Sequence, residues 1–391
     1  MSSYHIKNLE EYYKVYRKSI REPELFWEEI AEEHFNWYKK WDKVLSWDFK
    51  KPEVKWFDGA KLNITENCID RHLRTRGNKT AIIFEPNNPD EEVLHITYKE
   101  LYERVNRLAN VLTNKGIKKG DRVCIYLPMI PELAVSVLAC ARIGAIHSVV
   151  FAGFSATALA TRINDSGCKM VLTSDGSYRG NKTIDLKGIV DEALTKCPEV
   201  NSVLVVKRIH SEITMLAGRD NWLQPLLNEA STTYEPEIMN AEDPLFILYT
   251  SGSTGNPKGM VHTTAGYMVY TAYTFKNVFN YKEEDIYWCT ADPGWVTGTS
   301  YGMFAPWSSG ITQIIYEGGF SASKWYSVIE KYNVNVWYTA PTAIRMLMKA
   351  GEAPIKKSDL SSLRFIASVG EPLNPEAVVW GNENYGMPIH D

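Results

Sequence analysis

The chain has 391 residues, of which 45% are hydrophobic and 23% charged, and its formal net charge is −4 at pH 7. This length is too great for one small core and predicts two or three domains or subdomains, and the composition is that of a globular rather than a disordered protein. A net charge so close to zero gives no reason to expect a nucleic-acid partner or a membrane surface as partner.

The N-terminal residues lack the apolar core of a signal peptide, and no segment approaches the length of a membrane span. Six cysteines show no CxxC spacing, and Cys124, Cys140 and Cys289 lie in apolar segments. Free, buried thiols are therefore expected rather than disulfides or metal ligands, which predicts a cytoplasmic protein. The other three cysteines are Cys68, Cys168 and Cys197. The sequence does not indicate an oligomeric state.

Residues 1–75 are rich in Trp, Tyr, Phe, Glu and Lys, and the segment 24–41 has the pattern of amphipathic helices. We predict that residues 1–75 form a helical cap that packs on a larger body.

Residues 76–240 alternate between helical and strand-like patterns. Thr97 and Glu100 predict a capping box at the start of a helix that ends near Gly116. An almost entirely apolar helix is expected at about 131–143. Apolar strands are predicted at 122–127, 146–151, 169–174 and 202–207. Because strands alternate with helices, this region is predicted to be a first α/β subdomain with a mainly parallel sheet.

Residues 241–391 repeat the alternation and are predicted to form a second α/β subdomain. Strands are expected at 245–249, 285–290, 311–316, 334–339 and 363–368, and helices at 323–333 and 341–350. The fold class is therefore α/β, with two mainly parallel sheets.

A loop rich in glycine and hydroxyl side chains, YTSGSTGNPKG at 249–259, follows the predicted strand 245–249. Glycine lets backbone N–H groups approach phosphate oxygens closely, and hydroxyls and a lysine add donors and charge. A flexible linker would not usually follow a buried strand. A nucleotide-binding P-loop is also excluded, because its lysine precedes Ser or Thr whereas Lys258 precedes Gly259. The candidate phosphate-binding residues are Thr250, Ser251, Gly252, Ser253, Thr254, Gly255 and Lys258.

This loop resembles the signature of the AMP-forming acyl-CoA synthetases, which belong to the adenylate-forming superfamily. Further stretches resemble its acetate–CoA ligase branch, in the family's order and over nearly the whole chain: VKWFDGAKLNITENCIDRHL (54–73), FAGFSA (151–156), TADPGWVTGTSY (290–301), YTAPTAIRMLM (338–348) and SVGEPLNPEA (368–377). The resemblance implies an enzyme that converts ATP, acetate and CoA into AMP, diphosphate and acetyl-CoA through acetyl-adenylate. It also implies the two doubly wound, mainly parallel β-sheet layers of that family's large N-terminal domain.

The chain ends at PIHD, where the family continues with a motif close to DTWWQTETG. By this resemblance the chain is the N-terminal two-thirds of a longer enzyme, with an incomplete β-barrel and no C-terminal domain. The family's catalytic lysine lies in that domain, so no catalytic residue is assigned here. We expect the chain alone to be inactive and to bind ATP weakly.

The resemblance also assigns the ATP site. The loop would hold the β- and γ-phosphates, and the Thr254 hydroxyl would contact Mg²⁺ in an incomplete site, since hard cations take several oxygen ligands. Gly370, Glu371, Pro372 and Asp391 would bind adenine. The Gly370–Pro372 turn follows the last predicted strand, at the end where ligands of open α/β sheets bind.

The acyl pocket and the CoA site follow from the same resemblance. Trp295 would close the acyl pocket after two carbons, and Val296, Thr297 and Val369 would line it. The CoA contacts would be Phe151, Gly153, Arg179, Gly180, Asn181, Lys182, Thr297, Ser321 and Ala340. Lys182 stands where the family has arginine, and it keeps the charge but loses the bidentate fork.

Alternatives remain open at this stage. Trp295 could be one of many core tryptophans, and the pair Arg179 and Lys182 could be ordinary solvated surface. A propionate-preferring ligase is a second reading of the function, since one methylene is worth only about 1–3 kcal/mol of discrimination. A catalytically silent nucleotide-binding module is a third.

Overall fold

The computed structural model describes residues 6–250 and 255–391. The strands, numbered in chain order, are β1 (Lys43–Asp48), β2 (Glu53–Asp58), β3 (Lys61–Leu62), β4 (Thr80–Glu85), β5 (Leu94–Thr97), β6 (Arg122–Ile125), β7 (Ile146–Val149), β8 (Cys168–Ser174), β9 (Ser177–Arg179), β10 (Lys182–Ile184), β11 (Ser202–Val206), β12 (Asp220–Trp222), β13 (Met239–Asn240), β14 (Pro244–Thr250), β15 (Lys258–Thr263), β16 (Ile286–Cys289), β17 (Thr312–Tyr316), β18 (Val336–Thr339), β19 (Phe365–Ser368) and β20 (Ile389–His390).

The helices are α1 (Leu9–Arg21), α2 (Pro23–His34), α3 (Ile64–Cys68), α4 (Leu73–Arg76), α5 (Tyr98–Asn114), α6 (Pro131–Arg142), α7 (Ala156–Ser166), α8 (Leu186–Leu194), α9 (Leu223–Glu229), α10 (Ala265–Phe279), α11 (Val296–Thr299), α12 (Ala305–Ser308), α13 (Ala322–Tyr332), α14 (Pro341–Ala350) and α15 (Pro375–Tyr385). Short 3₁₀ turns cover Asp70–His72 and Ile355–Lys357, and a π-helical turn covers Ser300–Phe304.

Two seven-stranded sheets form the body of the described chain. The first has the order β12-β11-β8-β6-β7-β14-β15, and the second has the order β20-β19-β18-β16-β17-β4-β5. Neighbouring strands are parallel except at one edge of each sheet, where β15 and β5 are antiparallel. The predicted α/β class with two mainly parallel sheets is confirmed, as are the strands expected from the sequence. No closed barrel occurs in residues 6–250 and 255–391.

The two sheets exchange strands between the halves of the sequence. Strands β4 and β5 join the second sheet, where β4 pairs with β17, while β14 and β15 complete the first sheet beside β7. The sheets therefore do not coincide with the predicted subdomain bounds 76–240 and 241–391. The strands that were predicted lie where they were expected along the chain, but β4, β5 and β15 were not predicted, and pairing between distant strands has no signal in local periodicity.

Helix α5 begins with the predicted capping box, in which Thr97 and Glu100 satisfy each other's backbone N–H groups. Helix α6 is buried along nearly its whole length, as its apolar composition required, and packs against α5. Both helices share a core cluster with the strands of the first sheet.

The N-terminal region packs on this body as expected. Phe26 on α2 lies in the same core cluster as α10, and its ring meets the Tyr273 ring at a centroid distance of 5.6 Å. The region is less helical than predicted, because β1 and β2 form an antiparallel hairpin and β3 pairs with β13.

All six cysteines are free and buried, which confirms the interpretation of their spacing. Within the described residues, no helix combines the length and hydropathy needed to cross a bilayer.

Candidate functional site

The carboxyl ends of the parallel strands in the second sheet carry the predicted adenine and acyl-pocket residues, together with Ser321 and Ala340. Strands β16, β18 and β19 lie side by side and run in the same direction. The segment Asp292–Trp295 follows the first of them, Ala340 follows the second, and the turn beginning at Val369 follows the third. In open parallel sheets this edge is where ligands bind.

The carboxyl edge of the first sheet meets this edge of the second at two points. A Cβ on Gly294, after β16, would lie 3.0 Å from the backbone nitrogen of Phe151, after β7. The Asn87 side chain, after β4, donates to the Gly180 carbonyl oxygen at 3.1 Å. Residues that are far apart in sequence thus come together where the two edges meet.

The predicted adenine-binding residues form one turn with Asp391 at its base. Gly370 has a φ of +101°, a left-handed conformation that glycine adopts without strain. The Asp391 carboxylate accepts a hydrogen bond from the Ser368 hydroxyl at 3.1 Å and another from the Leu373 N–H at 3.1 Å. It therefore ties together the residues before and after the segment Gly370–Pro372.

The Glu371 side chain is already engaged by helix α14. It accepts hydrogen bonds from the Thr342 hydroxyl and from Arg345 Nη2, the latter at 2.9 Å. These two partners, Thr342 first, lower the pKa of Glu371. Since its carboxylate is held in this way, the backbone of the turn is the part left available to a ligand.

The loop before α11 presents Trp295 to solvent. Its side chain is 52% exposed, so Trp295 is not a core tryptophan. The Trp295 N–H donates to the Asp292 carbonyl at 3.0 Å. A Cβ on Gly298 would lie 2.6 Å from the Pro293 nitrogen, so this glycine lets the chain close tightly on itself. A rigid loop with an outward indole is suited to form one wall of a pocket. Of the other predicted acyl-pocket residues, Val296 is exposed, and Thr297 and Val369 are half-buried.

Asp292 shapes the same loop, and the sequence analysis did not single it out. Its Oδ1 accepts a hydrogen bond from the Gly294 N–H at 2.7 Å. Burial raises the pKa of this half-buried carboxyl to about 6, against the lowering effect of that hydrogen bond. The only sequence signal was its place in the ADPGW stretch.

The candidate CoA residues Phe151 and Gly153 lie directly after β7. The Phe151 ring folds over Gly153, where a Cβ would lie 3.0 Å from Phe151 Cδ1. The Phe151 side chain remains 39% exposed, so its ring can accept a planar partner.

The candidate phosphate-contacting cations Arg179 and Lys182 lie on a β-hairpin formed by β9 and β10. Strands β9 and β10 pair so that Arg179 stands directly opposite Lys182, on either side of the two-residue turn Gly180–Asn181. Both side chains are exposed. Like charges directly opposite each other are destabilising, an arrangement that an anion would relieve.

The phosphate loop is the tip of a second hairpin. Thr250 at the end of β14 pairs with Lys258 at the start of β15, and Gly255 has a φ of +86°. The predicted residues Ser251, Gly252, Ser253 and Thr254 lie outside the described residues. At the base of the hairpin, the Tyr249 hydroxyl donates to Asp165 Oδ2 at 2.7 Å, which fixes the stem.

Ser321 and Ala340 stand at the N-termini of α13 and α14, after β17 and β18. They share the carboxyl edge with the other candidates, but no hydrogen bond among the described residues joins either of them to the hairpin of Arg179 and Lys182. Residues 6–250 and 255–391 contain no group of three or more His, Cys, Asp or Glu side chains that could hold a metal ion.

Comparisons with known proteins match the chain over nearly its full length. Residues 69–391 match the family model described as AMP-binding enzyme, and residues 12–68 match the model described as acetyl-coenzyme A synthetase N-terminus. The acetyl-coenzyme A synthetase of Magnetococcus marinus is 52% identical over 376 residues, which are 95% of this chain and 58% of the relative. That of Halorhodospira halophila is 52% identical over 390 residues, which are 98% of this chain and 60% of the relative. The chain thus spans about three-fifths of the length of the curated relatives it matches.

Proposed function

The chain belongs to the family of AMP-binding enzymes, and on that premise we propose that the protein activates acetate with ATP and transfers the acetyl group to CoA. The observation that carries this proposal is the contact between the Trp295 loop and the segment after β7, where the carboxyl edges of the two sheets meet at Gly294 and Phe151. The name acetyl-coenzyme A synthetase, carried by relatives 52% identical to this chain, supports acetate as the acid.

In the first half-reaction an acetate oxygen attacks the α-phosphorus of ATP. A new O–P bond forms, the bond from the α-phosphorus to the bridging oxygen breaks, and diphosphate leaves. Acetate is already ionised at neutral pH, so no general base is required. The protein contributes mainly position and charge, as in other phosphoryl transfers.

The acid would lie against the exposed face of Trp295, with Val296, Thr297 and Val369 as the other walls. The Asp292 and Gly298 contacts hold this loop rigid, so a longer acyl chain would meet the indole rather than displace it. The Gly370–Glu371–Pro372 turn, tied to Asp391, would receive the adenine. Glu371 would act through the turn's backbone, because α14 holds its carboxylate.

The triphosphate would lie at the loop between Thr250 and Lys258, whose glycines would let backbone N–H groups approach the phosphate oxygens. Mg²⁺ would be held by phosphate oxygens and the Thr254 hydroxyl. The described residues offer no acidic cluster for this ion.

In the second half-reaction the CoA thiol, losing its proton to solvent, attacks the acetyl carbonyl carbon. The C–S bond forms, the bond from carbon to the adenylate oxygen breaks, and AMP leaves. Phe151 and Gly153 would lie against the CoA adenine, Arg179 and Lys182 would meet its phosphates, and Ala340 would border the thiol's approach. We place the reaction in the cytoplasm, because all six cysteines are free thiols.

The proposal is tested by acid-dependent exchange of labelled diphosphate into ATP, measured on the protein that carries this chain at its natural length. We expect exchange with acetate, less with propionate and none without acid. A preference for propionate would replace the substrate, and exchange that no acid stimulates would refute carboxylate activation. Calorimetric titration of the 391-residue chain with a non-reactive acetyl-adenylate analogue tests separately whether these residues form the binding site.

A further inference from the structure

The hairpin that carries Arg179 and Lys182 is too small to hold itself in place. Its strands β9 and β10 have three residues each, and isolated two-stranded hairpins are marginal in water. The two cations opposite each other weaken it further. The position of the hairpin must therefore be determined by contacts with the rest of the protein.

Arg208 provides one such contact, with the Tyr178 ring. Its guanidinium lies 5.0 Å from the centroid of the Tyr178 ring, next to Arg179 on the same strand. The side chain is only 13% exposed and pairs with two carboxylates. Arg208 Nε donates to Glu317 Oε1 at 2.6 Å, and Nη1 lies 2.8 Å from Glu91. A guanidinium stacked on a ring and forked onto a carboxylate has little rotational freedom.

Asn87 provides the second contact, at the turn itself. Its backbone N–H donates to Glu317 Oε2 at 3.0 Å, and its side-chain amide donates to the Gly180 carbonyl at 3.1 Å. Glu317 is 1% exposed on its side chain and follows β17, so it is fixed by the second sheet. One buried carboxylate thus orients both residues that touch the hairpin.

The backbone that carries Arg208 is itself fixed to the first sheet. Asp175, directly after β8, accepts hydrogen bonds from the N–H groups of Arg208 at 2.7 Å and Ile209 at 3.0 Å. The network therefore spans both sheets and leaves the hairpin little freedom to move as a unit.

We propose that Asn87, Arg208 and Glu317 are positioning residues that hold the hairpin so that Arg179 and Lys182 meet the phosphates of CoA. This inference rests on the proposed function, which supplies the ligand. None of the three touches the ligand; they act through Tyr178 and Gly180. Pre-organised cations lose less conformational entropy on binding than free ones, so the network raises affinity without a new ligand contact.

The test compares CoA with 3′-dephospho-CoA, because the ratio of their affinities isolates the phosphate contact from general effects on folding. Three variants are measured beside Arg179→Ala, which removes one of the two cations themselves. Asn87→Ala removes the side-chain hydrogen bond to the Gly180 carbonyl but keeps the backbone hydrogen bond to Glu317. Arg208→Lys removes the bidentate contact of the guanidinium with Glu317. Arg364→Lys is the matched control, since Arg364 pairs with Asp285 at 3.1 Å at the amino ends of β16 and β19, away from the hairpin.

For Asn87→Ala and Arg208→Lys we expect the preference for CoA over dephospho-CoA to fall roughly two- to tenfold, the range of one hydrogen bond. Acetate-dependent diphosphate exchange should change no more than in Arg364→Lys. Hydrogen–deuterium exchange of the peptide 177–184 should rise in the two hairpin variants only.

An unchanged preference in both variants, alongside a loss in Arg179→Ala, would overturn the positioning role. An equal loss of exchange and CoA preference would also overturn it, because the network would then serve folding. If Arg179→Ala leaves the preference unchanged, the hairpin does not bind the phosphate and the inference fails, while acetate-dependent exchange would still uphold the proposed function. If that exchange is absent in the unaltered protein, the proposed function fails instead, and the CoA titrations still decide whether the hairpin is a binding element.

Discussion

Gly298→Ala offers a sharp test of the tight loop that presents Trp295. Gly298 lies within α11, where alanine is conformationally acceptable, so the effect of the substitution is steric. The added Cβ would lie 2.6 Å from the Pro293 nitrogen and closer still to the Asp292 carbonyl. These neighbours are backbone atoms, which cannot rotate away as a side chain could. The loop Asp292–Trp295 must therefore move.

We expect this overpacking to lower the free energy of unfolding by about 1–3 kcal/mol. Alanine's higher helix propensity offsets at most about 1 kcal/mol of this, so the net loss is up to about 2 kcal/mol. A chain with two sheets need not unfold in one step. The appropriate assay is therefore differential scanning calorimetry, in which the melting temperature of the variant is compared with that of a control variant.

Gly302→Ala is the matched control. It lies four residues further along, and its Cβ would be 3.5 Å from Cys289 Sγ, an ordinary van der Waals distance. We expect Gly298→Ala to melt about 1–3 °C lower than the unaltered protein and the control to melt within about 0.5 °C of it. Equal melting temperatures for the two variants would refute the steric account of the loop.

Three further predictions concern residues of the candidate site. Trp295→Gly should admit acids several carbons longer and weaken the use of acetate, as measured by acid-dependent diphosphate exchange; an unchanged chain-length preference in a folded variant would show that the indole does not end the pocket. Arg179→Ala should raise the KM for CoA by tenfold or more, the worth of a charge-assisted hydrogen bond, while leaving exchange nearly intact, because the thiol reacts only after the adenylate forms; an equal loss in both would assign Arg179 to folding or ATP binding. Asp292→Asn tests the raised pKa of the Asp292 carboxyl, which is about 6. The folded protein favours the neutral form of this carboxyl. The stability that the group contributes is therefore complete below about pH 4 and is lost as the pH rises through 6. Removing the charge should therefore raise the free energy of unfolding at pH 7 by on the order of 1–2 kcal/mol, after allowance for partial solvent exposure, and should flatten its pH dependence between 4 and 7; a variant with the pH profile of the unaltered protein would contradict this.

Local patterns located nine of the twenty strands in the described residues, and helices such as α5, α6, α13 and α14. The capping box at Thr97 and the apolar runs of β8, β11 and β14 are properties of a few consecutive residues, and each was predicted near its observed position. The edge strand β15 was not predicted, because four of its six residues are exposed and its sequence lacks an apolar face. Edge strands are held by pairing on one side only, which sequence periodicity does not record.

The candidate site was predictable where a motif is continuous. The Gly370–Pro372 turn, the Trp295 loop and the hairpin tip at Thr250 each lie in one stretch of sequence. The network of Asn87, Arg208 and Glu317 was missed, because its members come from three separate segments and none stands in a distinctive pattern. Only the meeting of the two sheets brings these three side chains together.

The exchange of strands between the sheets has a consequence for synthesis on the ribosome. Ile82 on β4 pairs with Gln313 on β17, so β4 must wait for more than two hundred further residues before its partner exists. At typical elongation rates that interval is roughly 10–50 s. During it, β4 can form only its antiparallel hairpin with β5, and its other edge, with the apolar sequence AIIF, stays open. Unpaired apolar edges recruit other chains, so the hairpin of β4 and β5 is the segment of the nascent protein that most needs a holding chaperone.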